Sequence, residues 1–145
     1  MRARFVLIAG VLLGAVLLAA GCGSSGEDKD KESEGARTAC KAPALSGDSG
    51  LPAAFPIPGE LTLTRTRKDG PSTVVDGYWS ADLDEVYGEY KDQVGQAGYS
   101  ILFDEKEEHD AEISYKGSGR TGQIALRDDC TESDTIRVHI TNRPA

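Results

Sequence analysis

Few residues in this 145-residue chain could do chemistry, and their spacing argues against most of it. Lys116-Gly117-Ser118-Gly119-Arg120-Thr121-Gly122 superficially suggests a phosphate cradle. A P-loop needs a strand before its glycines and a helix after them, so that amides and helix dipole converge on the anion. Here a strand pattern follows, and a mobile hairpin loop is expected. Asp104-Glu105-Lys106-Glu107-Glu108-His109-Asp110 offers oxygen ligands for a hard cation. It lacks the alternating ligands and the turn glycine of an EF-hand loop, and it falls where a charged turn is expected, so no metal site is assigned. His109 and His139 are the only histidines. His139 alternates with Val138 and Ile140 and should point away from the core. Catalysis needs a nucleophile and an orienting group within hydrogen-bond reach. Ser114 and Ser118 lie in no nucleophile motif, so neither an enzyme nor a cofactor is expected.

Aromatic side chains offer a second possibility. Tyr78, Trp79, Tyr87, Tyr90, Tyr99 and Phe103, with Tyr115, could line a pocket between a helix and a sheet, since aromatics with a polar tip suit cavities and interfaces. Tyr87, Tyr90 and Phe103 are the candidate ligand-binding residues. The helical spacing of Tyr87 and Tyr90 more often marks an ordinary core.

The elements that must position these residues are readable. Leu61 and Leu63 alternate with Thr62, Thr64 and Thr66 as a half-buried strand, Asp69-Gly70 supplies a hairpin turn, and Val75, Gly77 and Trp79 alternate on the return. A helix is predicted over 82–97. Leu83, Val86, Tyr87, Tyr90, Val94 and Ala97 make one apolar stripe, Asp82 or Ser80 caps the start, and Gly98 ends it. Four more strands carry Tyr99, Ile101 and Phe103, then Ala111, Ile113 and Tyr115, then Ile124 and Leu126, then Ile136, Val138 and Ile140. Short polar turns imply an antiparallel meander. The expected class is α+β: strand, strand, helix and four strands, with the sheet covered on one face by the single amphipathic helix. Pro43, Pro52, Pro56 and Pro58 exclude helix from 41–60, where Phe55 and Ile57 should pack on the domain edge.

The N-terminus speaks to location. Arg2 and Arg4 precede an uncharged run from Phe5 to Ala20, and Leu18-Ala19-Ala20-Gly21-Cys22 closes it with small residues. That is the pattern of a secretory signal, too short for the roughly 20 residues of a membrane span. The end of it resembles the lipobox of bacterial lipoproteins, with Ala19 where leucine is commonest. The resemblance implies that Cys22 is acylated and becomes the mature N-terminus. Residues 1–21 are then a signal peptide, 22–39 a solvated tether without large apolar residues, and 40–145 one domain. The tether should reach roughly 20–25 Å. Cleavage removes Arg2 and Arg4, taking the formal net charge from -8 to about -10. Nucleic-acid binding needs clustered positive charge, which such a composition does not supply. An acidic domain is likewise repelled by anionic headgroups, so membrane attachment falls to the lipid.

With Cys22 acylated, Cys40 and Cys130 remain as a pair in an oxidising compartment. A disulfide is expected over reactive or metal-binding thiols, because neither has a Cys-x-x-Cys neighbour or a nearby histidine. Asp82-Leu83-Asp84-Glu85-Val86-Tyr87-x-x-Tyr90, running into Ala97-Gly98-Tyr99, is similar to small lipoproteins of high-GC Gram-positive bacteria. The layout also looks like domains of some outer-membrane assembly lipoproteins, which are interaction modules; this is fold-level analogy. The expected function is therefore a lipid-anchored, extracytoplasmic protein displaying a non-enzymatic domain, with an envelope protein as its possible partner. The alternative is a lipoprotein binding a small or apolar ligand between helix and sheet.

Overall fold

Alternation of buried and outward residues, clearest in β-strands 110–117 and 136–144, builds the sheet that the computed structural model describes over residues 37–145. The elements are β1 (Thr62–Asp69), β2 (Ser72–Trp79), α1 (Leu83–Gln96), β3 (Ser100–Lys106), β4 (Asp110–Gly117), β5 (Arg120–Arg127) and β6 (Ile136–Pro144). All strand pairs are antiparallel, in the order β1-β2-β6-β5-β4-β3. The meander β3 to β6 is as expected, but spatial order departs from chain order. The helix carries the chain from β2 to the far edge, and β6 returns to pair with β2. The molecule is thus an α+β sheet with α1 packed over β3, β4 and β5.

The helix forms where the stripe and caps agree. Asp82 is the N-cap, its carboxylate accepting from the Glu85 N–H at 2.8 Å. At the other end Gly98 takes φ 81°, its N–H reaching the Gly95 carbonyl and the Tyr99 N–H the Val94 carbonyl. These two bonds make a Schellman motif, in which residues of Tyr99's and Val94's positions commonly touch. Leu83, Val86, Tyr90 and Val94 are buried against Val75, Ile113, Ile124, Val138 and Ile140 of the sheet. Trp79 meets Tyr90 edge to face at 5.8 Å between ring centres.

The proline-rich segment contributes more than an edge. Phe55 enters the core, 5.8 Å from the Tyr99 ring and 5.2 Å from that of Tyr115, whereas Ile57 stays 41% exposed. The same segment guards one sheet edge. The Leu45 N–H bonds the Leu63 carbonyl, and the Thr66 hydroxyl donates to the Ser49 carbonyl at 2.6 Å. An edge strand left bare is a template for unwanted pairing.

A polar knot closes the far end of the core. Asn142 is fully buried on the helix-facing side of β6. Arg120 Nε donates to its Oδ1 at 2.7 Å, and its Nδ2 donates to Tyr115 Oη at 2.8 Å. That hydroxyl in turn donates to the Thr141 carbonyl at 2.8 Å. The ring lies over Gly122, its cross-strand partner. A Cβ there would come within 2.6 Å of Tyr115 Oη and overlap the Thr141 carbonyl. Gly122→Ala should therefore destabilise by about 1–3 kcal/mol or more through overpacking. Denaturant melts check this, and an unchanged midpoint would show that the knot can relax.

Candidate functional site

Cys22 and the expected signal segment lie outside the described residues. Among the described residues no helix is long and apolar enough to cross a membrane. Cys40 and Cys130 are joined by a disulfide, with Cα atoms 5.4 Å apart. Around it the chain just before Cys40 is bonded to the segment that carries Cys130. Thr38 pairs with Cys130 as an isolated parallel bridge, its N–H bonding the Asp129 carbonyl at 2.7 Å. The Thr131 N–H bonds the Thr38 carbonyl at 3.0 Å, and Arg37 Nη1 donates to the Cys130 carbonyl. Residues 37–39 thus belong to the domain, because backbone groups next to the bridge find partners there. Asp129 approaches both sulfurs closely enough to suggest a metal group, but bonded sulfurs offer no thiolate ligand.

The three aromatic candidates do not converge. Tyr90 is fully buried, and burial pushes its hydroxyl pKa up. Tyr87 is half-buried and donates to the Asp104 carboxylate. Lys91 Nζ lies 2.7 Å from the same carboxylate and 5.0 Å from the centre of the Tyr87 ring. The bond to Asp104 raises the pKa values of both Tyr87 and Lys91, and the bond from Lys91 lowers that of Asp104. This cluster ties α1 to β3. Phe103 is elsewhere. The register of β3 shifts between Ile101 and Phe103, so Ile101 pairs with Tyr115 but Phe103 with Ser114. The inserted residue breaks the expected Tyr99-Ile101-Phe103 face and turns Phe103 to the uncovered side, 54% exposed beside Leu102 at 61%.

The two loops are turns. Ser118 and Gly119, with φ 49° and 69°, join β4 to β5 as a two-residue hairpin of the kind both positive angles demand. It is tighter than the expected mobile loop. In the acidic run, the Glu107 N–H bonds the Asp110 carbonyl, and His109 sits 3.5 Å from the Asp128 carboxylate.

The sheet face opposite α1 carries the densest constellation. His139 faces away from the core, as expected. Its Nδ1 lies 2.6 Å from Asp76 Oδ1, the only hydrogen-bond partner of its ring among the described residues. Arg65 Nε and Nη2 each reach Asp76 Oδ2 at 2.8 Å, and Arg67 Nη1 reaches it at 3.3 Å. Burial alone would push the Asp76 carboxyl up, but the bonds from His139 and Arg65 outweigh it and hold it down. Next to this cluster Arg127 and Arg137 are direct cross-strand partners. Arg127 is held by Asp110 and Glu112, and Arg137 by Asp129. Two hollows open here and share Asp76 and Arg137. One of about 270 Å³ is lined by Asp76, Ala125, Arg127, Arg137 and His139. The other, of about 380 Å³, lies between residues 38–42 and the strands carrying Arg65 and Tyr78. Only the outward direction of His139 was signalled by the sequence. Its partner Asp76 lies 63 positions away, and nothing local marks the pair.

Comparison with family models, with curated proteins and with solved structures finds no match for this chain. Its functional reading rests on its own residues.

Proposed function

We propose that the chain is a lipid-anchored, extracytoplasmic protein whose domain is a non-enzymatic interaction module, presenting the uncovered face of its sheet. The observation that carries the reading is the contrast between the two faces. The helix side is filled by Leu83, Val86, Tyr90 and Val94, while the other side leaves arginines, His139, Leu102 and Phe103 accessible. The Cys40–Cys130 bridge suits an oxidising compartment. An envelope protein is a suitable partner, and nucleic acid is not, given the formal net charge of -8. The alternative ligand between helix and sheet draws support from one observation: the buried hydroxyls of Tyr90 and Tyr99 have no partner among the described residues.

Cys22→Ser tests the anchor. The variant should be lost from the membrane fraction while its domain stays folded, because two or more acyl chains are needed for stable attachment. Intact-mass analysis of wild type should show an acylated species lacking residues 1–21. An unacylated, full-length protein that still sediments with membranes would refute the proposal.

A further inference from the structure

Two arginines directly opposite each other on neighbouring strands are an unfavourable arrangement unless something answers their charge. Arg127 and Arg137 stand in that relation on the uncovered face. Their carboxylate partners come from different sides: Asp110 and Glu112 on β4 for Arg127, Asp129 before β6 for Arg137. The hollow of about 270 Å³ that both arginines line is bordered by His139 as well. The Nδ1 edge of His139 is taken by Asp76, and Arg65 and Arg67 on β1 compensate that carboxylate in turn. The ring is thereby oriented by Nδ1, and Nε2 has no hydrogen-bond partner among the described residues.

The geometry points to a binding site for a phosphate-class oxyanion between Arg127, Arg137 and His139. Two guanidinium groups from neighbouring strands supply donors around one small hollow, and the His139 ring, its Nδ1 engaged by Asp76, borders it. Guanidinium forks bind phosphate oxygens in pairs, and donors arriving from several directions suit a tetrahedral anion better than a planar carboxylate. Arg127 Nη1 and Nη2 already reach Asp110 and Glu112, and Arg137 Nη2 reaches Asp129, so the anion would share these guanidinium groups with the carboxylates. The site adjoins the hollow lined by Thr38 to Ala42, where the chain enters the domain from residue 37. Cys22, the expected anchor, lies 15 positions before residue 37 in the sequence. A phosphate in solution and a phospholipid headgroup therefore present the same chemistry to it. This inference rests on the reading of the uncovered face as the contact surface.

The test uses the full chain, labelled with ¹³C and ¹⁵N, in neutral detergent micelles. Inorganic phosphate is added at constant ionic strength while both histidine rings are followed by NMR. A saturable shift at His139 but not at His109 is expected. Arg137→Gln and, separately, Arg127→Gln should weaken the apparent affinity at least tenfold. Arg143→Gln, at the far end of β6, should change it less than twofold. Because two independent arginine variants are used, loss of folding in one leaves the other to decide. Non-saturating shifts of both histidines alike, or affinities within twofold of wild type in the folded arginine variants, would overturn the site. Nanodiscs of phosphatidylcholine with or without phosphatidylglycerol separate the sources. A His139 shift already present with phosphatidylglycerol, and not enlarged by added phosphate, assigns the headgroup; a shift on adding phosphate alone assigns the free anion. The micelle titration does not depend on acylation, so a failed anchor and a failed anion site give different results.

Discussion

Replacing both Cys40 and Cys130 with alanine should lower the unfolding free energy by roughly 4–5 kcal/mol, the chain-entropy value for a loop of about 90 residues. That is a large share of the roughly 5–15 kcal/mol available to a domain of this size. A fall in Tm on the order of 20 °C follows. The bridge also organises its surroundings. The Cys40 N–H donates to Glu132 Oε2 at 2.8 Å, and Lys41 reaches the other carboxylate oxygen at 3.1 Å. The Cys40 amide bond is the main reason that the Glu132 carboxyl is pushed down to about 2. Without the bridge, the Thr38 and Thr131 amides should lose protection from hydrogen exchange before those of β4 and β5. Thermal melts of the double variant, beside wild type under non-reducing conditions, give the magnitude. A shift of only a degree or two would mean that pairing at Thr38 and packing of Phe55 hold the ends together unaided. Non-reducing peptide mapping of protein from the envelope should recover the two cysteine peptides joined, and free thiols there would defeat the pairing.

The disulfide was readable because cysteine pairing is arithmetic once one residue is set aside. The helix was readable because stripe, N-cap and terminal glycine each independently mark the same boundaries, and Asp82 and Gly98 stand where they were expected. The strands were readable through their alternation, which is why Ala111, Ile113, Tyr115, Ile136, Val138 and Ile140 are all buried. Alternation fails where a residue is inserted. At the register shift of β3 a period of two predicts the wrong face for Phe103, and no local composition announces the extra residue. Hydropathy also misjudges polar residues that bring their own partners. Asn142 is buried because Arg120 and Tyr115, both distant in sequence, satisfy its amide. The same holds for the uncovered face. Asp76 with His139, and Arg127 with Arg137, become neighbours only when β6 inserts beside both β2 and β5. Spatial strand order is a property of the whole chain, so a site assembled across it leaves no motif.

Tyr90 gives the sharpest division between a filled core and a ligand cavity, because two substitutions should move stability in opposite directions. Its ring is fully buried against Trp79, so Tyr90→Ala should cost about 3–5 kcal/mol through lost burial and the cavity left behind. Its hydroxyl has no hydrogen-bond partner among the described residues. An unsatisfied buried polar group costs about 1–3 kcal/mol, so Tyr90→Phe, which keeps the ring and removes the hydroxyl, should stabilise by on the order of 1 kcal/mol. Glu89→Ala and Asp92→Ala lie off the buried stripe and should stay within about 0.5 kcal/mol of wild type. Glu89 accepts a bond from Gln93 one turn on, a contact worth only a few tenths, about 0.2–0.5 kcal/mol. Urea melts of the four variants decide the matter. If the hydroxyl instead serves a ligand held between helix and sheet, Tyr90→Phe should show no gain in stability and should weaken that binding. A stabilised Tyr90→Phe beside a severely destabilised Tyr90→Ala identifies the helix side as a packed core and not a ligand cavity.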